Sequence, residues 1–552
     1  MLAFTSALTA NDYFPLYICV GIIVAVLLHS LFVYLRDPLH LRRFPAPSTA
    51  GFSLLWSIYH SLGRKRFVAV HEAHKRLGPI VRLGPRHLSF ADPQAYKEIY
   101  GHSAPVIKDE LYANLGLGNP SMFQIIGKEP HGQRRKLLSH VFAAKQINQK
   151  EPRVTELVMQ LCRAFEIKST GGQIAATDEY PTVQGAFDVR PWMNMFAYDV
   201  ITSVFWSKPY GFLKTGNDEC MALTASGEAR KVRAIETQHR SGNFAFPLVQ
   251  LSKRWWELAL RVFSQTPGCQ SMKNFRSMAR YIVRERIDKP PTEPDLFSSF
   301  PLEPTEKRKS TLSADEILAE CSTMLLAGQG TTQISLTNCI YHLAKNPDKQ
   351  DKLRKCLYGA IPPESRPVAS YTDLQNVPML RACLDESFRC NPPVTFGLPR
   401  LVTDPGMTIC GHYIAPGVVV SSPLHEIHHD ERLFKDPWKF IPERWLEGSD
   451  ADYIPSAAES ANLTTYVQPF GMGGRACIGR NIAYLDLSVA IAALVMAFDW
   501  ELSDPDKPIE YNETVVNTPM ELWVKARLRE GMEIDAQLKR KQERTMSRQP
   551  VE

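Results

Sequence analysis

Apolar positions along the chain fall into three kinds of run. The first, LYICVGIIVAVLLHSLFVYL from Leu16 to Leu35, is nearly continuous over about 20 residues, enough for a helix to cross a bilayer. His29 and Ser30 are its polar interruptions, and Tyr13, Tyr17 and Tyr34 lie near its ends, where interfacial aromatic residues gather. Arg36, Arg42 and Arg43 follow the run, while only Asp12 is charged before it. That asymmetry places everything after Arg36 on the cytosolic side. A cleaved signal peptide would carry a basic leading region and a shorter apolar core. Neither is present, so the expectation is a retained anchor.

The second kind of run alternates with period two. It covers IVRLG and HLSFADP from Ile80, and again Leu398 to Val420, with turn signals at Asp404-Pro405-Gly406 and Pro416-Gly417. The third kind has helical periodicity and dominates from about Asp92 onward. Its clearest example runs from Ser313 to Asn346. Ser313 and Glu316 have capping-box spacing, and Pro347 supplies the stop. Such a helix holds about 32 residues and spans about 48 Å. Inside it lies LLAGQGTT, Leu325 to Thr332, whose two glycines each cost a helix about 1 kcal/mol relative to alanine. Between the anchor and the first strands, FPAPS (with Pro45 and Pro47) reads as a stiff extended connector. The predicted organisation is a lumenal tail at 1–15, the anchor at 16–35 and a basic, proline-rich connector at 36–50. One mainly α domain with small β-sheets follows at 51–528, then a charged tail at 529–552.

Composition narrows the function classes. The 552 residues are 44% hydrophobic and 22% charged, with no linker in the middle and no fixed-period repeat. Lys and Arg number 64 against 58 Asp and Glu, and the net charge of +6 is spread along the chain. A dispersed excess of this size describes a mixed surface and gives no footprint for nucleic acid. Eleven dispersed cysteines without a C-x-x-C pair argue against a disulfide framework and a structural zinc site, and fit a reducing compartment.

One cysteine stands apart. In FGMGGRACIGR, Phe470 to Arg480, Cys477 sits in a glycine-rich loop ahead of an apolar helical stretch. Inward-facing N–H dipoles at a helix entrance lower a thiol's pKa and favour thiolate. A thiolate so held suits haem iron employed for O–O cleavage. The competing reading is an inert cysteine in a tight turn, and the spacing decides between them. Phe470-x-x-Gly473-x-Arg475-x-Cys477-x-Gly479 resembles the haem-binding signature of the cytochrome P450 superfamily at every defined position.

Three further motifs occur in the order that family has them. Glu386-Ser-Phe-Arg389 resembles its E-x-x-R pair, which implies a buried structural network with Arg444 in Ile441-Pro-Glu-Arg-Trp445. His131-Gly-Gln-Arg-Arg135 resembles its Trp-x-x-x-Arg element, with His131 in the tryptophan position. The resemblance makes His131, Arg135, Arg400 and Arg475 the expected partners of the haem propionates, with Arg134 and Lys136 turned outward. Ala327-Gly-Gln-Gly330-Thr331-Thr332 resembles the family's central-helix motif. There the glycines imply a groove for dioxygen, and Thr331, with Thr332 beside it, implies delivery of the proton that splits O–O. Gly330 departs from the pattern, because the family usually places an acid there. No nucleotide loop competes, since neither a Gly-Lys-Ser/Thr nor a G-x-G-x-x-G is present. A helix-packing contact is the remaining alternative for the two glycines.

The resemblance covers roughly residues 45 to 525 and implies the cytochrome P450 fold behind a single N-terminal transmembrane helix. It is nearest to fungal membrane-bound enzymes of secondary metabolism and aromatic-acid hydroxylation, on the stretch from Asp188 and on HEIHHD at His425. It implies haem b on Cys477, residence on the cytosolic face of the endoplasmic reticulum, and NADPH electrons from a reductase docking on the basic face near Cys477. The expected reaction is insertion of one oxygen atom from dioxygen into a small, largely apolar molecule. Pocket segments carried over are Ala104–Ile126, Pro392–Leu398 and Val515–Met520, with Val394, Phe396 and Met520 as apolar wall. No obligate oligomer is implied. The alternative is a haem-thiolate isomerase or dehydratase acting on a peroxide without external electrons, which the missing acid at Gly330 would permit.

Overall fold

The computed structural model describes residues 14–303, 311–446 and 465–532, together with Ile534. Residues 1–13 of the expected lumenal tail and most of the charged tail from Arg529 lie outside these residues, while Phe14 and Pro15 already belong to the first helix. The chain opens with helix α1, Phe14–Arg36, which leaves Tyr17, Val24, Leu28, Phe32 and Leu35 exposed. The connector after it is packed against the domain. The Asp37 carboxylate accepts the Leu41 N–H at 2.7 Å, and Leu41 and Phe44 are buried with Leu88 and Val420.

Helices α2 (Leu55–Leu62) and α3 (Arg66–Leu77) precede the first strands, and α4 (Lys128–Leu138), α5 (Glu151–Ser169) and α6 (Arg190–Trp206) follow them. Next come α7 (Ala234–Leu248), α8 (Lys253–Val262), α9 (Pro267–Asp288) and the long α10 (Ala314–Lys345). The set ends with α11 (Pro378–Cys390), the short α12 (Leu424–His428) and α13 (Arg480–Ala497). Helix α10 has the 32 residues and the complete capping box that its sequence predicts: the Ser313 hydroxyl accepts the Glu316 N–H, and the Glu316 carboxylate accepts the Ser313 N–H. It packs against α6, α9, α11 and α13, and is buried on all sides from Thr332 to Ala344. Helix α13 is apolar and long enough to span a bilayer, but it is 83% buried and forms core.

Five strands form the main sheet in the order β1 (Ile80–Gly84), β2 (His87–Phe90), β10 (Val419–Ser421), β7 (Arg400–Val402), β3 (Val106–Lys108). Only the β10–β2 pair is parallel. Across β3 and β7, Lys108 stands directly opposite Arg400. The expected turn near Gly406 separates β7 from the hairpin β8 (Met407–Ile409) and β9 (His412–Ile414). A second sheet orders β11 (Phe498–Leu502), β14 (Trp523–Leu528) and β4 (Phe187–Asp188), and β12 (Tyr511–Glu513) pairs with β13 (Asn517–Pro519). The hairpin of β5 (Glu219–Leu223) and β6 (Ala229–Arg233) falls where helical periodicity was expected, in a stretch of charged and small residues with a turn at Thr224–Gly227. Packing continues past residue 528: Arg529 pairs with Asp499 at 2.6 Å and Ile534 is buried in the core.

Candidate active site

The cysteine loop turns through Gly473–Arg475 and enters α13 at Arg480. Gly473 is required twice over. Its φ is +69°, and a Cβ there would lie 2.5 Å from the Tyr100 carbonyl oxygen. The Cys477 N–H donates to the Phe470 carbonyl at 2.7 Å and closes the loop. The Phe470 ring stands edge-on to Phe388 of α11 at 5.4 Å, so it ties the loop to the helix behind it. The Cys477 side chain is accessible although the loop sits among many protein atoms. Burial raises its thiol pKa; the Gly479 N–H and the charges of Arg135 and Arg480 oppose that shift without reversing it. The helix-entrance dipoles alone therefore do not yield the thiolate that the sequence led us to expect, because desolvation outweighs them. A cation at the sulfur would.

Behind the loop, Glu386 and Arg389 of α11 are fully buried and joined by two bonds of 2.9 Å. Glu386 also accepts from Arg444 Nε at 3.1 Å, the Ile441 N–H at 2.9 Å and Trp445 Nε1 at 3.0 Å. Arg389 spends its other donors on the carbonyls of His428, Pro437 and Lys439. The structure thus brings Glu386, Arg389 and Arg444 into one hydrogen-bonded knot in which both guanidinium groups share the Glu386 carboxylate.

A very different cluster lies on the other side of the loop. Arg475 donates to the Ile125 and Ile126 carbonyls at 2.9 and 2.7 Å, and Arg135 to the Ala476 carbonyl at 2.7 Å. Arg400 donates to the Tyr112 hydroxyl at 2.8 Å. Lys108, which the sequence reading passed over, donates to the Phe123 carbonyl at 2.6 Å. All four contact neutral acceptors, and among the described residues none has a carboxylate in ion-pair contact. Burial and the neighbouring charges lower the pKa of two of the four, whereas burial of Arg400 is outweighed by the Tyr112 and Tyr100 hydroxyls, which raise it. Burial, with Arg475 and Arg400 nearby, pushes Lys108 down to about 6. Burial and Arg400 push Arg475 down to about 10, and burial with Arg475 and Lys108 pushes His131 down to about 3. His131 is therefore a neutral imidazole with one N–H to give. Lys108, opposite Arg400 across β3 and β7, gives up its proton here, and an anion joining the pair would restore its charge. Arg134 differs from expectation: it turns inward to pair with Glu316, and with Glu320 at 2.8 Å.

Helix α10 is continuous from Ala314 to Lys345. A Cβ on Gly328 would lie 2.6 Å from Ile201 Cδ1 of α6, so Gly328 exists for close helix packing. This corrects the expectation of a groove at that glycine. Gly330 is buried, and a Cβ there would lie 3.1 Å from Nε2 of Gln238 on α7, whose Oε1 accepts from the Tyr198 hydroxyl at 2.9 Å. Leu326 and Ala327 are open in mid-helix; Thr331, one turn after Ala327, donates to its carbonyl at 2.7 Å. Thr332 is buried. Of the expected pocket wall, Val394 is half-buried and Met520 exposed, while Phe396 is buried edge-on to Phe246 at 5.7 Å.

An open cysteine on a glycine loop, beside a carboxylate-free cation pocket, fits a flat, dianionic, iron-bearing macrocycle. Comparison with known proteins agrees. The cytochrome P450 family model matches residues 45–526, and the chain belongs to that family of haem proteins, as an oxidoreductase of the monooxygenase class. Among named relatives, benzoate 4-monooxygenase bphA of Aspergillus niger is 29% identical over 516 residues, covering 90% of this chain and 95% of its own. Cytochrome P450 monooxygenase ORF11 of Penicillium roqueforti is 28% identical, covering 91% and 97%. Cytochrome P450 monooxygenase traB of Penicillium crustosum is 28% identical, covering 92% and 95%.

Proposed function

We propose that the protein is a membrane-anchored haem-thiolate monooxygenase of fungal secondary metabolism. It inserts one oxygen atom from dioxygen into a small, largely apolar organic molecule, with NADPH electrons relayed by a reductase. The observation that carries this reading is the cation pocket beside Cys477. Arg135, Arg400, Arg475 and Lys108, with neutral His131, would hold the two propionates of haem b, and the Cys477 sulfur would bind its iron. Bound in this way, haem supplies dioxygen activation.

The chain's own residues then have defined tasks. Gly479, Arg135 and Arg480 favour the Cys477 thiolate. The Thr331 hydroxyl, held by the Ala327 carbonyl on the open stretch of α10, positions a proton for oxygen reduction. Position 330 offers no carboxylate, and the Gln238 amide, braced by Tyr198, stands in that space. In this reading Gln238 holds the water that an acid would otherwise hold.

Two apolar surfaces favour membrane seating in addition to α1. Leu55, Tyr59 and Leu62 are exposed on α2, and Trp255, Leu258 and Val262 on α8. Gln250, just before α8, hydrogen-bonds the buried Ser57 and Ser61 of α2, so the two helices are tied through one residue.

The test is turnover with NADPH, a reductase and a panel of small aromatic acids, benzoate first because a relative is named for it. Substrate-dependent NADPH consumption with one oxygen atom gained in the product is expected. Turnover of an organic peroxide without NADPH, and none with it, would replace this reading by the isomerase one.

A further inference from the structure

Far from the cysteine loop, α3 meets the segment that follows β10 through a cluster of histidines. His71 Nδ1 lies 3.2 and 3.1 Å from the two Glu426 oxygens. One ligating atom from each of His71, His425 and Glu426 lies within 4.8 Å of the others, and all three residues are half-buried. The His71 and His425 rings stand edge-to-face with centroids 5.4 Å apart. Two imidazoles sharing a zinc ion at about 2.0–2.1 Å per bond have ring centres roughly 5 Å apart.

Hydrogen bonding accounts for His71 and Glu426 but leaves His425 over. Among the described residues its ring nitrogens have no hydrogen-bond partner. Its neighbours are already committed. His74, one turn along α3, is held by the Gly78 carbonyl at 3.0 Å and the Ser89 hydroxyl at 2.8 Å. His429 bonds the His425 carbonyl at 2.9 Å and stacks on Trp438 at 4.1 Å, which fixes the backbone that presents His425. A cavity of about a water's size borders His425 and Glu426, walled by Phe67, Thr395 and Ser421.

We propose that His71, His425 and Glu426 form a second metal site, separate from the haem, that takes one divalent ion of the zinc class with a cavity water as fourth ligand. Two imidazoles and one carboxylate are a protein ligand set that leaves one tetrahedral position open, and imidazole favours zinc, nickel and copper over magnesium and calcium. The ion clips α3 to α12, which joins the N-terminal part of the domain to the elements behind the cysteine loop.

The test uses untagged, haem-loaded, full-length protein stripped with a chelator and then titrated with zinc chloride by calorimetry and elemental analysis. The expected result is about one zinc per chain beyond the haem iron. Affinity should fall about tenfold or more in His71→Ala and in Glu426→Gln. Zinc-edge X-ray absorption of the wild type, which depends on no variant, should report two imidazoles in a four-coordinate N/O shell. Substoichiometric zinc, a shell without paired imidazoles, or affinity unchanged in the His71→Ala/His425→Ala double variant would overturn the assignment.

Discussion

Position 330 has no side chain, and Gln238 reaches across from α7 into the space beside it. If Gln238 substitutes for an acid, Gly330→Asp should change the coupling of NADPH consumption to product while leaving the haem spectrum intact. The Gln238 amide end must shift a few tenths of an ångström to admit a Cβ, and further to make room for the carboxylate. An unchanged coupling ratio and solvent isotope effect would put position 330 off the proton path. Thr331→Ala should lower product formation about 100-fold and raise hydrogen peroxide release, since the hydroxyl's task is proton delivery; wild-type coupling in that variant would remove Thr331 from the mechanism. Gly330 and Thr331 were legible because a short motif places them. Gln238 was not, because its relation to residue 330 exists only across two packed helices. Lys108 escaped for the same reason: a lone lysine in Val-Ile-Lys acquires meaning only when β3 sets it opposite Arg400.

At the scale of elements, α10 carries a sharp test of what a glycine does. In an exposed helix Gly328→Ala would gain about 1 kcal/mol of helix propensity. Here the new methyl group meets Ile201 of α6 at 2.6 Å, and overpacking costs about 1–3 kcal/mol. The variant should therefore melt lower than the wild type, and Ile201→Val in the same chain should restore much of the loss. A higher melting temperature for Gly328→Ala would contradict the packing role. The knot around Glu386 predicts a larger effect. Removing its charge by Glu386→Gln leaves Arg389 and Arg444 buried with less compensation, which costs about 3–5 kcal/mol and should appear as poor haem retention and a depressed melting temperature. The long helix, its cap and the β1–β2 pair were readable because each satisfies its own backbone locally, and the strands near Leu398 were readable from their alternation and flanking turns. The β5–β6 hairpin was not, since its charged and small residues carry no apolar alternation, and the three-stranded sheet of β11, β14 and β4 was not, since it pairs segments far apart in the chain.

At the scale of the whole molecule, haem and fold are coupled through charge. In the haem-free protein burial and neighbouring guanidinium groups hold Lys108 at about 6. An unfolded lysine titrates near about 10.4. Between those values the unfolded chain holds the extra proton, so stability rises with pH. The melting temperature of haem-free wild type should accordingly rise more between about pH 7 and about pH 8 than that of Lys108→Met. Haem carboxylates beside Lys108 would restore its charge and erase the difference; identical slopes for both haem-free proteins would contradict the anion-pocket account. Membrane seating is testable separately. A chain lacking residues 1–36 should still bind lipid vesicles, and should lose most of that binding when Trp255, Leu258 and Val262 are all replaced by serine.

The central claim is that Cys477 presents a thiolate to haem iron. The most direct measurement is the carbon-monoxide difference spectrum of the reduced protein, recorded for wild type and Cys477→Ala. The account predicts the red-shifted, thiolate-type Soret band in the wild type and its loss in the variant. A wild-type band at the unshifted position, or a red-shifted band that survives in Cys477→Ala, would contradict it.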